Sequence, residues 1–188
     1  MQIIALCGQK GSGKDLVADT IVELLDGIKP TRKLSFTNQI KELMWSAFDI
    51  RDQIEWASFV HNFVTLPSGK RRYGREIYRV LSLGIRNDNA QRYIERLEDD
   101  INNYKIYHPE SFDDVVFIVT DVRFREEVKW CKANKIPLIK VNRDTLMYDS
   151  TVDEIEIEDY LCDHFIDNNG TEKELKENLV ELLTKILK

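Results

Sequence analysis

Apolar positions along the chain follow two alternating rhythms. Residues 2–7, QIIALC, form an unbroken apolar run of the kind expected for a strand buried in a parallel sheet. The next stretch, KDLVADTIVELLD, sets Leu16, Val17, Ile21, Leu24 and Leu25 at helical spacing, with Gly27 and Pro30 as stop signals. RKLSF reads as a short second strand. Helical spacing follows from Thr37 to Ala47 and from Asp52 to Phe63, then LPSGKRRYG reads as a turn or short hairpin. Two more helices are expected around Arg75–Leu83 and Ala90–Asn103.

The second half returns to the strand rhythm. DVVFIVT (114–120) is the clearest strand, REEVKWCKAN a helix, PLIKVN a strand and DHFIDN a last short strand. The closing stretch places Leu175, Leu179, Leu182, Leu183 and Ile186 on one helical side, with Thr171 and Glu174 forming a capping box. Strands alternating with helices predict an α/β fold, a parallel sheet covered on both faces, with ligands outside the carboxyl ends of the strands. No repeat or low-complexity linker interrupts the 188 residues, which suffice for a single domain, 1–188.

Composition narrows the function classes. A net charge of −6 argues against a general nucleic-acid binder. The basic stretch GKRRYGR (Lys70, Arg71, Arg72, Arg75) reads either as a solvated hairpin tip or as a phosphate-facing patch. No apolar run is long enough to cross a bilayer, and MQIIALCG lacks a signal-peptide pattern. Cys7, Cys131 and Cys162 are odd in number without CxxC spacing, which predicts reduced thiols and a cytoplasmic location, with Cys7 as a small core residue. His61, His108 and His164 are widely spaced, which argues against a His/Cys metal cluster.

The chemistry-bearing segment is GQKGSGKD, Gly8 to Asp15. An apolar strand before it and an amphipathic helix after it are the context a phosphate-binding loop requires. Gly8, Gly11 and Gly13 let backbone N–H groups turn inward, and the helix start adds the positive end of its dipole. Lys14 is placed for the β- and γ-phosphates of a nucleotide. The motif usually ends in Ser or Thr, whose hydroxyl ligates Mg²⁺. Here Asp15 offers a carboxylate, able to hold the ion directly or through water, or to act only as a helix-end charge.

SGKD in place of SGK[ST] resembles the phage deoxynucleoside monophosphate kinases and the animal phosphomevalonate kinases. FTNQIKEL (36–43) resembles the FA-x-x-(L/I)-K-E segment of the phage enzymes, with Thr37 in place of alanine. VTDVRFREEV (119–128) resembles their (S/T)DVRFPNEA, with Arg125 and Glu126 replacing proline and asparagine. DHFIDNNGTEKEL (163–175) is similar to their D-x-x-I-x-N-N-G-T-x-x-E-L ending, and similar endings occur in dephospho-CoA kinases. The match weakens in RVLSLGIRND, where the expected glutamine is absent and Ile85 replaces threonine. In STVDEIEIEDY, Asp153 stands where the family has serine and Glu154 is retained.

The resemblance implies a P-loop NTPase fold of the nucleoside-monophosphate-kinase kind, with about five parallel strands. It implies an acceptor-binding helical insert at about 37–108 and a mobile lid at about 144–160. The implied reaction is phosphoryl transfer from ATP, with Mg²⁺, to a deoxynucleoside monophosphate. Lys14, Asp121 and Arg123 are the expected catalytic residues. Gly8, Lys10, Gly11, Ser12, Gly13, Lys14, Asp15, Leu16, Asn168, Asn169 and Gly170 are expected to bind ATP. Asp15 and Asp121 are expected to serve the metal, and Lys41, Arg75 and Arg86 the acceptor. Asp121 is placed to hold Mg²⁺ through water, to accept a proton, or to cap the next helix; Arg123 is placed to bridge the phosphates or to pair with Glu127. Lys41 is equally compatible with an exposed helix lysine. The expected partners are small molecules, ATP and the acceptor, with a homodimer implied and neither nucleic acid nor membrane. The alternatives are a dephospho-CoA kinase or other small-molecule kinase of this architecture, and a non-catalytic nucleotide switch. Ser or Thr normally follows the lysine in dephospho-CoA kinases, and the guanine signature N-K-x-D is absent here.

Overall fold

A computed structural model describes residues 1–144 and 157–187. Most of the expected lid, including Asp153 and Glu154, lies outside the described residues. The elements run β1 (Gln2–Cys7), α1 (Lys14–Leu25), β2 (Thr31–Leu34), α2 (Asn38–Ala47), α3 (Gln53–His61), β3 (Phe63–Thr65), β4 (Arg71–Tyr73) and α4 (Gly74–Asp88). Then come α5 (Gln91–Tyr107), β5 (Val116–Val119), α6 (Arg125–Ala133), β6 (Leu138–Asn142), a 3-10 turn (Asp159–Leu161), β7 (His164–Asp167) and α7 (Glu172–Ile186).

The chain divides into two compact units, residues 1–35 with 97–188, and residues 36–96. The first holds a sheet in the order β2-β5-β1-β6-β7, every neighbouring pair parallel. This is an α/β fold, a parallel sheet covered by helices on both faces, with a glycine-rich loop joining the first strand to the first helix. Alternation along each strand sorts side chains to two faces. Ile4 and Leu6 of β1, Val116 and Ile118 of β5, Ile139 and Val141 of β6 and Ile166 of β7 meet α1 and α7. On the opposite face, Ile3, Val115 and Phe117 pack with Ile101 and Tyr104 of α5. There α6 joins α5 through Trp130 Nε1, which donates to Glu98 at 2.7 Å.

Two details depart from the pattern read along the chain. Leu16 is 43% exposed, because the buried arc of α1 runs through Val17, Ala18, Ile21 and Leu25. Leu16 stands about 100° of helix rotation outside that arc, and the small Ala18 takes its place against the sheet. Leu24 packs only at the core margin. Helix α4 continues through Gly84 to Asp88, and α5 runs on to Tyr107, both longer than expected. The closing helix behaves as its capping box requires: Thr171 Oγ1 accepts from Glu174 N–H, and Glu174 reaches back to Thr171 N–H at 2.7 Å.

In the second unit, α2, α3 and α4 pack with the antiparallel β3–β4 hairpin. Asp52 caps α3, accepting from the N–H groups of Ile54 and Glu55, both at 2.8 Å. Among the described residues, no helix is long and apolar enough to cross a membrane.

Candidate functional site

Five strands pointing the same way bring their carboxyl ends to one rim of the sheet unit. The glycine loop follows β1, Ser35 follows β2, Asp121 lies two residues beyond β5, Asn142 ends β6 and Asn168 follows β7. The candidate site of this unit is built there.

The loop is shaped by close approaches that only glycine permits. Gly8 has φ +139°, and a Cβ there would stand 2.5 Å from the Val141 carbonyl oxygen. Gly13 has φ +91°, and its Cβ would stand 2.1 Å from Asn168 Nδ2. Both are conformations that L side chains rarely adopt. Inside the loop Ser12 N–H donates to Gln9 O at 3.1 Å, and α1 opens with Val17 N–H donating to Gly13 O. Lys14 is buried and its Nζ donates to Gly8 O at 2.7 Å and to Gln9 O at 2.9 Å. The ammonium is thus folded back into the loop rather than out into water. Ser12 is 1% exposed, and its hydroxyl oxygen has no hydrogen-bond partner among the described residues. An orphaned buried hydroxyl in a ring of turned amides fits a loop that completes its bonding with an anion. Lys10, Gly11, Asp15 and Leu16 are exposed on the loop and first helical turn, open to a ligand.

The NNG turn lies beside the phosphate loop. Asn168 is buried, its N–H donates to Asn142 O at 2.9 Å, and its Nδ2 donates to Ser12 O at 2.8 Å. It braces the phosphate loop from behind. Asn169 accepts from Asp144 N–H at 2.8 Å and bonds Asp167, and Gly170 sits against the Glu174 carboxylate.

Asp121 is 8% exposed, where Val122 N–H ties the chain to Leu6 O of β1. Ser35 Oγ donates to Asp121 Oδ2 at 2.7 Å. Ser35 was not singled out from the sequence. Its signal was its place at the end of the second strand, but only the pairing of β2 with β5 brings it to Asp121. Arg123 is half-buried, and its backbone N–H donates to the buried Glu127 carboxylate at 2.7 Å. Phe124 N–H adds a second bond to the same oxygen at 3.1 Å. Glu127 therefore anchors the turn that carries Arg123 by its backbone.

The expected acceptor residues all lie in the helical unit, but they are not gathered at one point. Lys41 Nζ donates to Gln53 Oε1 at 3.0 Å and lies 5.3 Å from the Trp45 ring centre and 5.7 Å from that of Trp56. Trp56 also stacks on Phe59, so an aromatic cluster surrounds this cation. Arg86 is buried over the Tyr93 ring at 4.6 Å, while Arg75 is exposed. The two arginines stand about 16 Å apart along α4 at its rise of about 1.5 Å per residue. A cleft of about 580 Å³ in this unit is lined by Ile40, Leu43, Gly84, Asp88, Arg92 and Arg96, among others. None of Lys41, Arg75 and Arg86 lines it, and Arg92 and Arg96 went unremarked in the sequence. The basic hairpin is exposed along β4, with Arg71 over the Phe63 ring at 5.0 Å.

No protein-family model matches this chain, and no curated protein is similar to it. Among solved structures, a mutant form of the Mycobacterium tuberculosis APS kinase CysC is similar, with a TM-score of 0.45 and 11% identity. That likeness covers 97% of this chain and 96% of that one, and at this level it decides nothing about substrate or activity.

Proposed function

We propose that this chain is an ATP-dependent kinase of small phosphorylated molecules, and that its acceptor is a deoxynucleoside monophosphate. The observation that carries the reading is the loop between β1 and α1, where Lys14 Nζ is folded in by the Gly8 and Gln9 carbonyls. The choice of acceptor rests on the resemblance of SGKD, TDVRF and the NNGT ending to the phage enzymes.

In this reading the loop amides and Lys14 grip the β- and γ-phosphates of ATP. An oxygen of the acceptor phosphate attacks the γ-phosphorus, a new P–O bond forms, and the bond to the β-phosphate oxygen breaks to release ADP. Little covalent work falls to the protein, which aligns two anions and offsets their repulsion. Arg123 spreads its charge over the transferring group, and Glu127 holds the turn on which it stands. Asp121, steadied by Ser35, and Asp15 are carboxylates of the hard-oxygen type that suits Mg²⁺. When bound, that ion neutralises charge on the β- and γ-oxygens. Lys41, Arg75 and Arg86 are the proposed acceptor-binding cations of the helical unit.

The test is a coupled ADP-release assay with ATP and Mg²⁺. Each common deoxynucleoside monophosphate is the acceptor in turn, beside ribonucleotides, dephospho-CoA and phosphomevalonate. Stimulation by one or more deoxynucleoside monophosphates is expected. Stimulation only by dephospho-CoA or phosphomevalonate, or slow ATP hydrolysis indifferent to every acceptor, overturns the reading.

A further inference from the structure

Two of the three cysteines, 155 positions apart in the chain, meet in space with their sulfurs separated by 3.6 Å. Cys7 is the last residue of β1, fully buried and directly before Gly8 of the phosphate loop. Cys162 follows the 3-10 turn, is half-buried, and leads into β7. β6 lies between β1 and β7 in the sheet, so strand pairing alone does not bring these residues together. The contact arises because the segment entering β7 folds over β6. Lys140 of β6, paired in register with Cys7, holds that segment, its Nζ donating to Ile157 O at 3.1 Å and to Asp159 Oδ1 at 2.5 Å.

We propose that Cys7 and Cys162 form a peroxide-sensitive dithiol that closes reversibly to a disulfide at the base of the phosphate loop. The sulfurs need to approach by only about 1.5 Å to reach the bonded distance of about 2.05 Å. The two thiols differ in the way such a pair requires. The thiol–thiol hydrogen bond with Cys7 lowers the Cys162 pKa, burial and the nearby Asp159 oppose this, and Lys140 and Lys132 reinforce the lowering. The same hydrogen bond, together with burial, raises the Cys7 thiol. Cys162 is half-buried while Cys7 is fully buried, so a peroxide reaches the Cys162 sulfur first, which makes Cys162 the nucleophile and Cys7 the resolving thiol. Burial and the nearby Glu127 push the third thiol, Cys131, up to about 12, which leaves it unreactive.

The chemistry balances with hydrogen peroxide as oxidant. The Cys162 thiolate attacks the peroxide oxygen, an S–O bond forms, the O–O bond breaks, and hydroxide leaves. Cys7 sulfur then attacks Cys162 sulfur, the S–S bond forms, and the oxygen leaves as water with the Cys7 proton. Two thiols and one peroxide give one disulfide and two waters, and a dithiol reductant reverses the outcome. The bond would tie the residue before Gly8 to the strap held by Lys140, where Gly8 already lies against the Val141 carbonyl. This inference goes beyond the kinase reading and does not depend on it.

The test uses the full chain treated with hydrogen peroxide, alkylated, digested without reduction and mapped by mass spectrometry. The expected product is a single linked pair, the Cys7 peptide with the Cys162 peptide, lighter by two hydrogens and released by dithiothreitol. Cys131 stays alkylated, and Cys162 loses its free thiol at least about tenfold faster than Cys131. Unfolding in urea before treatment abolishes that preference. Cys162→Ser gives no linked pair, and Cys7→Ala leaves a sulfenic acid on Cys162 that dimedone captures. Should Cys7→Ala fail to fold, the wild-type map and Cys162→Ser decide. Cys162 oxidised in the wild type without linkage to Cys7, linkage to Cys131, or all three thiols still alkylated overturns the proposal.

Discussion

Gly13 and Asn168 supply a stability test that needs no ligand and no assumed activity. Asn168 Nδ2 donates to the carbonyl of Ser12 at 2.8 Å in a buried setting. Replacing Asn168 by Ala leaves that carbonyl without its donor, at a cost of about 1–3 kcal/mol. Gly13→Ala has two effects. Its φ of +91° is strained for any L side chain, costing about 1–2 kcal/mol. Its Cβ would also stand 2.1 Å from Asn168 Nδ2, so the amide must leave and the same hydrogen bond is lost. The single variant therefore loses about 2–5 kcal/mol.

The double variant loses no more than Gly13→Ala alone, since the bond can be broken only once. Among the described residues, and apart from Gly13's own neighbours in the chain, the only atoms within 4 Å of the added Cβ belong to the Asn168 side chain, which the second substitution removes. The two changes should fall short of additivity by about 1–3 kcal/mol. Urea unfolding of the four proteins, extrapolated linearly to water, measures that shortfall. Additivity within about 0.5 kcal/mol would show that Asn168 does not brace the loop, and the account of this turn would fall.

Three further outcomes are expected, the first two resting on the proposed kinase reading. Arg123→Ala should reduce turnover on the order of 10³-fold while leaving the circular dichroism spectrum unchanged; near-normal turnover removes Arg123 from the transferring group. Ser35→Ala takes one donor from Asp121, and should cost about 1–3 kcal/mol in urea unfolding and lower turnover about tenfold; unchanged kinetics would make that hydrogen bond purely structural. Burial alone would raise the Asp163 pKa, but hydrogen bonds from Lys132 and from Leu138 N–H hold it below the usual carboxylate range. The stability it contributes is fully present above that range and is lost as pH falls through the lowered folded value. Asp163→Asn should therefore flatten the decline of the urea midpoint between about pH 5 and about pH 2, and an unchanged slope refutes the assignment.

Local rules were enough to place most of the elements. An unbroken apolar run marked β1, a capping box marked the start of α7, and the spacing of glycines and Lys14 marked the loop, because each depends on residues close in the chain. The arc of α1 that faces the core was less legible. Leu16 and Ala18 both lie next to Val17, and only the sheet beneath decides which of them is covered. What tertiary structure alone decided are the meetings of distant residues: Ser35 with Asp121, Asn168 with the Ser12 carbonyl, and Cys7 with Cys162. The first depends on the pairing of β2 with β5, and the other two on β7 lying one strand away from β1, across β6. Periodicity tells a strand which faces it buries, but not which neighbour it pairs with, because backbone hydrogen bonds are the same for every partner.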